Sequence, residues 1–119
     1  QQGLLKFQGN TPQNELIKEI KASRAVVIPS LYENFPNTCI MSMWLAKPVI
    51  VSKQGGQAEM VMENGKNGYI FDHTITGDLE EKIIQVLNDS EDVLKILGEN
   101  AHKRIYSLCI FLANRRKYY

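Results

Sequence analysis

Cysteine is scarce in this sequence: Cys39 and Cys109 are the two thiols in 119 residues, and their separation is not that of metal ligands. The first residues, Gln1, Gln2 and Gly3, supply neither the basic n-region nor the apolar h-region of a secretory leader. Few thiols and no leader point to a reducing, cytoplasmic setting. No run approaches about twenty consecutive apolar residues, so no membrane-spanning helix is expected. There is little charge excess either: 14 basic against 13 acidic residues leave +1, which argues against a general nucleic-acid binder. Neither GxxxxGK[ST] nor GxGxxG occurs, so the phosphate-loop and dinucleotide fingerprints are absent. An initiator methionine is missing too, as expected of a piece of a longer chain. What is present is 44% hydrophobic and 23% charged residues. That is enough apolar side chain to offset the entropy of ordering one small globular domain.

Charge is unevenly spread. Ten of the thirteen acidic residues lie between Glu59 and Glu99, whereas Lys103, Arg104, Arg115, Arg116 and Lys117 close the chain without an acid among them. A solvated final helix is the plainer reading of that tail. Contact with anionic lipid or an acidic partner is the other.

Leu4–Phe7 reads as a short strand. Thr11 and Pro12 read as an N-cap and first helical residue, opening a helix to about Ala22 with Leu16, Ile17 and Ile20 on one face. Ala25–Ile28 and Pro48–Val51 are continuous apolar runs, which suit strands buried on both faces of a parallel sheet. Between them come residues 29–36 as a loop and Asn37–Leu45 as a helix. Asn64-Gly65 and Asn67-Gly68 signal turns before a strand at Tyr69–Phe71. Asp78 with Glu81 makes a capping box for a helix through Leu87, with Leu79, Ile83, Val86 and Leu87 buried. Ser90 caps a further helix that turns Val93, Leu94, Leu97, Ala101 and Ile105 inward. Leu108–Tyr119 is expected to be helical as well. Met41, Met43 and Trp44 read as core, as does Cys39, and His73 and His102 read as surface histidines. Strands alternating with helices define an α/β domain with a mainly parallel sheet. Ligands of such sheets sit at the carboxyl ends of strands, here the loops after Ile28 and Val51.

The loop after Ile28 carries Glu33, Asn34, Phe35 and Pro36 and opens the helix at Asn37 and Thr38. Backbone N–H groups and the positive helix end there would suit a phosphate, and Glu33 could accept hydrogen bonds from sugar hydroxyls. Gly55 and Gly56 follow the next strand, where the absence of side chains allows close backbone approach to a ligand. A solvated loop and an ordinary turn are the alternatives to these two ligand roles.

Several blocks in fixed order carry a more specific signal. They are Pro29-Ser30-(x2)-Glu33-Asn34-Phe35-Pro36; then Lys47-Pro48-Val49-Ile50-Val51-Ser52; then Gly55-Gly56-(x2)-Glu59; then Asn67-Gly68-Tyr69-Ile70-Phe71. Together, over about Phe7 to Ile105, the sequence resembles the group 1 glycosyltransferases, retaining nucleotide-sugar enzymes of the GT-B fold. The resemblance implies a three-layer Rossmann-like α/β domain, incomplete relative to a full C-terminal donor domain, with residues 1–119 as its later part. It implies transfer of a glycosyl group from a nucleotide diphosphate sugar to an acceptor, without metal or other cofactor. Glu33 matches the first glutamate of the family's Glu-x7-Glu motif and would position the donor sugar. Asn37 and Thr38 match the backbone that meets the diphosphate, and Gly55-Gly56 the second loop at the same mouth. The second glutamate, which grips the ribose hydroxyls, falls at Met41, whose thioether cannot replace it. The family also carries a small residue at the position of Trp44 and a glycine at that of Ala46.

The resemblance places the family's diphosphate-clamping Arg and Lys, two central strands and the acceptor domain upstream of residue 1. Without those strands the sheet is expected to expose an edge and to rearrange, swap elements or form homo-oligomers. A cytoplasmic location at the inner face of a membrane would suit envelope-building members of the family. The rival reading is a non-catalytic, degenerate or excised domain acting as a scaffold, which Met41 favours.

Overall fold

A computed structural model describes residues 13–28, 37–54 and 66–116. The elements run α1 (Gln13–Ala22), β1 (Val26–Ile28), α2 (Asn37–Trp44), β2 (Val49–Ser52), β3 (Gly68–Phe71), α3 (Asp78–Asn88) and α4 (Glu91–Arg116). The expectations at Leu4–Phe7, Asn64-Gly65 and the last three residues lie outside the described residues.

The three strands form one parallel sheet in the order β1-β2-β3. Val26 faces Val49 across the first pair, and Val49 faces Gly68 across the second. The central strand is β2. Val49, Ile50 and Val51 are all buried, each contributing about 1.5–3 kcal/mol by leaving water. Ser52, one residue past the apolar run, is the strand's last residue and is fully buried. β1 is only half-buried at Val26 and Val27, less than its run of apolar residues implied. Among the described residues no strand pairs with its other edge.

Two hydrophobic clusters, one on each face, give the three layers. Alternate strand residues Ile28, Val49 and Val51 meet Cys39 and Met43 of α2 and Ala101 and Ile105 of α4. On the other face Ile50, Tyr69 and Phe71 meet Val86 of α3 and Leu94 and Leu97 of α4. The period-two alternation of the strands thus divides the core, and α4 contributes to both halves.

The faces of α1, α3 and α4 follow the expected stripes with two exceptions. Leu87 and Val93, expected inside, are each 41% exposed, because they lie at the corner where α3 ends and α4 begins. Ser90 does cap α4: its Oγ accepts the Val93 N–H at 3.2 Å. The box at Asp78 does not form. Gly77 occupies the N-cap with φ 85° and no side-chain cap bond, and Asp78 is already helical. Its carboxylate accepts the Asp72 N–H at 2.7 Å and the Lys82 Nζ at 3.0 Å instead. Those donors hold it well below the usual carboxylate range.

Long polar side chains fasten the amino ends of the strands. Arg24 reaches the carbonyls of Val86 and Asp89 at the end of α3 (3.3 and 2.8 Å), and Lys47 donates to the Ser23 carbonyl at 2.9 Å. Tyr69 donates its hydroxyl to Asp89 at 2.7 Å. Burial first, and then that carboxylate, push the phenol up to about 12.

Candidate functional site

Each strand ends at the same edge of the sheet, and the topology brings three chain segments there. The first is the start of α2, at Asn37 and Thr38. The second is the exit of β2 through Ser52, Lys53 and Gln54. The third is the exit of β3 through Asp72, His73 and Thr74. Of the residues singled out from sequence, Glu33, Asn34, Phe35, Pro36, Gly55 and Gly56 lie outside the described residues, and Asn37, Thr38 and Met41 lie within them.

The helix is anchored so that its first turn faces this edge. Cys39 and Met43 are completely buried against the sheet, four residues apart on one face. Burial pushes the Cys39 thiol up to about 12, so it is packing and not a nucleophile. Thr38 and Met41 are half-buried, one turn apart. Ser42 donates back to the Thr38 carbonyl at 2.7 Å and so occupies no acceptor beyond the helix. The leading amides of any α-helix have no intrahelical acceptor, and with the helix dipole they favour an anion.

Sequence reasoning missed the polar lattice beside this helix. Gln54 donates its amide to Asp72 Oδ1 at 2.7 Å, while its Oε1 accepts the His73 N–H at 3.3 Å and the Ser52 hydroxyl at 3.2 Å. Asp72 Oδ1 also accepts the Thr74 hydroxyl (2.6 Å) and N–H (2.9 Å). Thr74 chiefly, then Gln54, hold Asp72 down at about 2. Lys53 Nζ stands 3.8 Å from its other oxygen. An Asp two residues before a Thr was a visible turn signal. Its pairing with a residue 18 positions earlier was not.

At the opposite edge, α2 ends in a Schellman motif. The Lys47 N–H bonds the Ser42 carbonyl at 2.9 Å, and the Ala46 N–H bonds the Met43 carbonyl at 3.0 Å. The motif requires a left-handed residue, and Ala46 takes φ 61°. That is the position where the resembled family carries glycine. Ala46→Gly is therefore expected to raise stability by about 1 kcal/mol, by removing a Cβ from left-handed backbone. A urea midpoint that stays put or falls would contradict this.

Trp44, read from sequence as core, is 46% exposed. Its ring packs on His102 (centroids 5.0 Å) and Tyr106 (6.2 Å), and its carbonyl lies 2.8 Å from His102 Nδ1. A carbonyl can only accept, so Nδ1 carries the proton. His102 thus closes the end of α2. A cavity of about 600 Å3 sits here, lined by Trp44, Leu45, Ala46, Glu99, His102 and Lys103. It is remote from the strand exits.

With this geometry in place, comparison with known proteins is decisive. The family model for glycosyl transferases group 1 matches residues 2–104. The chain belongs to the group 1 glycosyltransferases. An uncharacterized glycosyltransferase of Methanocaldococcus jannaschii, MJ1178, is 32% identical over 96 residues, which are 81% of this chain and 27% of that protein. Sucrose synthase of Melioribacter roseus is 33% identical over 95 residues, 76% of this chain and 12% of its own length. Among solved structures, sucrose-phosphate synthase of Thermosynechococcus elongatus superposes with a TM-score of 0.74 at 25% identity, over 95% of this chain and 30% of that one. HepE of Anabaena, solved in complex with UDP and glucose, gives 0.69 at 22% identity, over 88% and 30%. The glycosyltransferase chain described here therefore spans under a third of each of these relatives. The parallel order β1-β2-β3 with helices on both faces is the Rossmann-like arrangement of the GT-B fold.

Proposed function

We propose that this chain is the donor-binding part of a retaining glycosyltransferase that moves a sugar from a nucleotide diphosphate sugar to an acceptor. The observation that carries the reading is the start of α2, opening at the carboxyl edge of a parallel sheet in a chain of this family. Two relatives, named sucrose synthase and sucrose-phosphate synthase, make sugar transfer the chemistry to test.

In this reading the diphosphate leaves the anomeric carbon while its growing charge is held by the amides of Asn37 and Thr38 and by backbone at Gly55 and Gly56. Glu33 orients the sugar ring. The acceptor attacks from the face the diphosphate leaves, and a donor phosphate oxygen takes its proton. Cations and acceptor-binding residues come from outside this chain, so the chain alone binds weakly. The cytoplasm, at the inner face of a membrane, is the setting we propose for the whole enzyme.

Titrating UDP and GDP into the 15N-labelled chain tests this. Shifts confined to the amides of Asn37, Thr38 and their neighbours, with a Kd of about 1 mM, are expected from a site lacking two charge-assisted contacts. Shifts centred on the Trp44–His102 edge, or none, would overturn the assignment. A second reading, a non-catalytic scaffold, is favoured by Met41, a half-buried thioether where a ribose-binding carboxylate belongs.

A further inference from the structure

The carboxyl end of α2 carries an indole where the resembled family carries a small residue. Trp44 is exposed, and so is Tyr106 of α4 beside it. Neither belongs to the two clusters that pack the sheet against the helices. A ring left this open to water gains only part of the burial energy of its size, so the core does not account for it. Its position is nevertheless fixed. His102 packs on it with planes at 47°, and Tyr106 forms offset stacks with both rings, at 29° to Trp44 and 18° to His102. The hydrogen bond from His102 to the Trp44 carbonyl ties down the backbone beneath.

Polar groups flank these rings on one face of α4. Glu99, His102, Lys103 and Tyr106 stand at i, i+3, i+4 and i+7, while Leu97, Ala101 and Ile105 are buried in the core clusters. The cavity beside Trp44, about 600 Å3, falls within the roughly 300–1,000 Å3 usual for small-ligand sites. Glu99 brings an acceptor to its lining and Lys103 brings donors. Both are exposed, and among the described residues neither side chain has a hydrogen-bond or ion-pair partner.

The charge balance selects the occupant. One carboxylate against one ammonium leaves no positive excess for the diphosphate of a nucleotide. A protein or lipid surface laid over the rings would take both charges out of water, a cost that only close pairing offsets. A pyranose avoids both difficulties. Its C–H face lies on an aromatic ring, and its hydroxyls donate and accept at the rim while the charges stay hydrated.

We propose that the Trp44 cavity is a saccharide-binding site separate from the transfer site, with Trp44 as the stacking platform and Glu99 and Lys103 as hydroxyl contacts. It takes a neutral pyranose, free or within a glycan. The site stands at the edge of the sheet opposite the strand exits, and it does not rest on the donor-binding reading. A glycan held there stays tethered to the chain while the strand exits remain open.

The chain has a single tryptophan, so its indole N–H signal is a unique probe of the cavity. Methyl glucoside, methyl mannoside, maltotetraose and cellotetraose are titrated in turn into the 15N-labelled chain, with glycerol and UDP as controls. At least one saccharide is expected to shift the indole signal and the amides of Glu99, His102 and Lys103 with a Kd of about 1 mM, leaving Asn37 and Thr38 in place. A tetrasaccharide about tenfold tighter than the monosaccharides assigns the site to a polymer, and equal affinities assign it to a single sugar ring. Trp44→Ala should raise the Kd about tenfold, read at the His102 and Lys103 amides, whereas Trp44→Phe should keep most of the affinity. Glu99→Leu, at an exposed position outside both core clusters, should raise it about fivefold. No shift with any saccharide overturns the proposal, as do shifts matched by glycerol, or a Kd unchanged in both Trp44→Ala and Glu99→Leu. A stronger indole response to UDP than to any saccharide also overturns it, and assigns the cavity to a nucleotide. Failure of UDP to shift Asn37 and Thr38 bears on the donor-binding reading alone.

Discussion

Replacing Gly98 with alanine is expected to cost about 3 kcal/mol or more of folding stability. Gly98 lies in α4 where that helix crosses the end of α2, and a Cβ there would overlap the carbonyl oxygen of Ala46. The obstacle is backbone, and backbone that is already constrained: Ala46 has φ 61° inside a hydrogen-bonded Schellman turn. A flexible side chain could swing away, but this carbonyl cannot. Relief requires α4 to lift, which uncovers Ala101 and Ile105, both buried in the cluster that holds α2 to the sheet. Domains of this size are stable by about 5–15 kcal/mol, so the loss is a large share of the whole. Urea unfolding monitored by circular dichroism measures it. A midpoint within error of wild type would show that the helices can separate without consequence.

Met41→Glu is expected to tighten binding of UDP or GDP about tenfold or more. A carboxylate accepting hydrogen bonds from a neutral diol gains about 1.5–3 kcal/mol where a thioether gains almost none. Met41 is half-buried, one turn from Thr38, so a carboxylate of similar reach can follow the same helix face toward the strand exits. Met41→Gln is the control, since it restores acceptor capacity without charge and should recover part of the gain. Calorimetry with each nucleotide, and with inorganic pyrophosphate as a ligand lacking ribose, reads the effect. Tightening for the nucleotides and not for pyrophosphate places the new contact at the sugar hydroxyls. No tightening for any of them supports the scaffold reading, in which this helix no longer serves a ligand.

The parts of the fold legible in the sequence are those decided by local pattern. Pro48–Val51 announced a strand buried on both faces, and it is central in the sheet, whereas the equally apolar run Ala25–Ile28 is half-buried at Val26 and Val27. Ser90 announced a cap because nothing competed for its hydroxyl. Asp78 misled for the opposite reason: the Asp72 N–H, six residues earlier, offered its carboxylate a better-placed donor than the helix amides did. Trp44 misled because ring size says nothing of which way a helix face points, and α4 supplies His102 and Tyr106 as an outer stack. For the candidate site, the sequence marked the loops by residue type and by likeness to a family. It could not show that Gln54 and Asp72 meet, since that contact depends on the pairing of β2 with β3. Nor did it reveal why a family glycine matters at the position of Ala46, until the turn's handedness was seen.

The last long helix lends residues to both sides of the sheet, Leu94 and Leu97 to one and Ala101 and Ile105 to the other. A chain emerging from the ribosome has made β1, β2 and β3 before this segment appears, yet neither half of the interior they form can close without it. Until then the strands present an oily surface to the cell, open to chaperones and to self-association. Closure of this interior is thus gated by α4, and a truncation before Leu94 would remove the closure on both faces of the sheet.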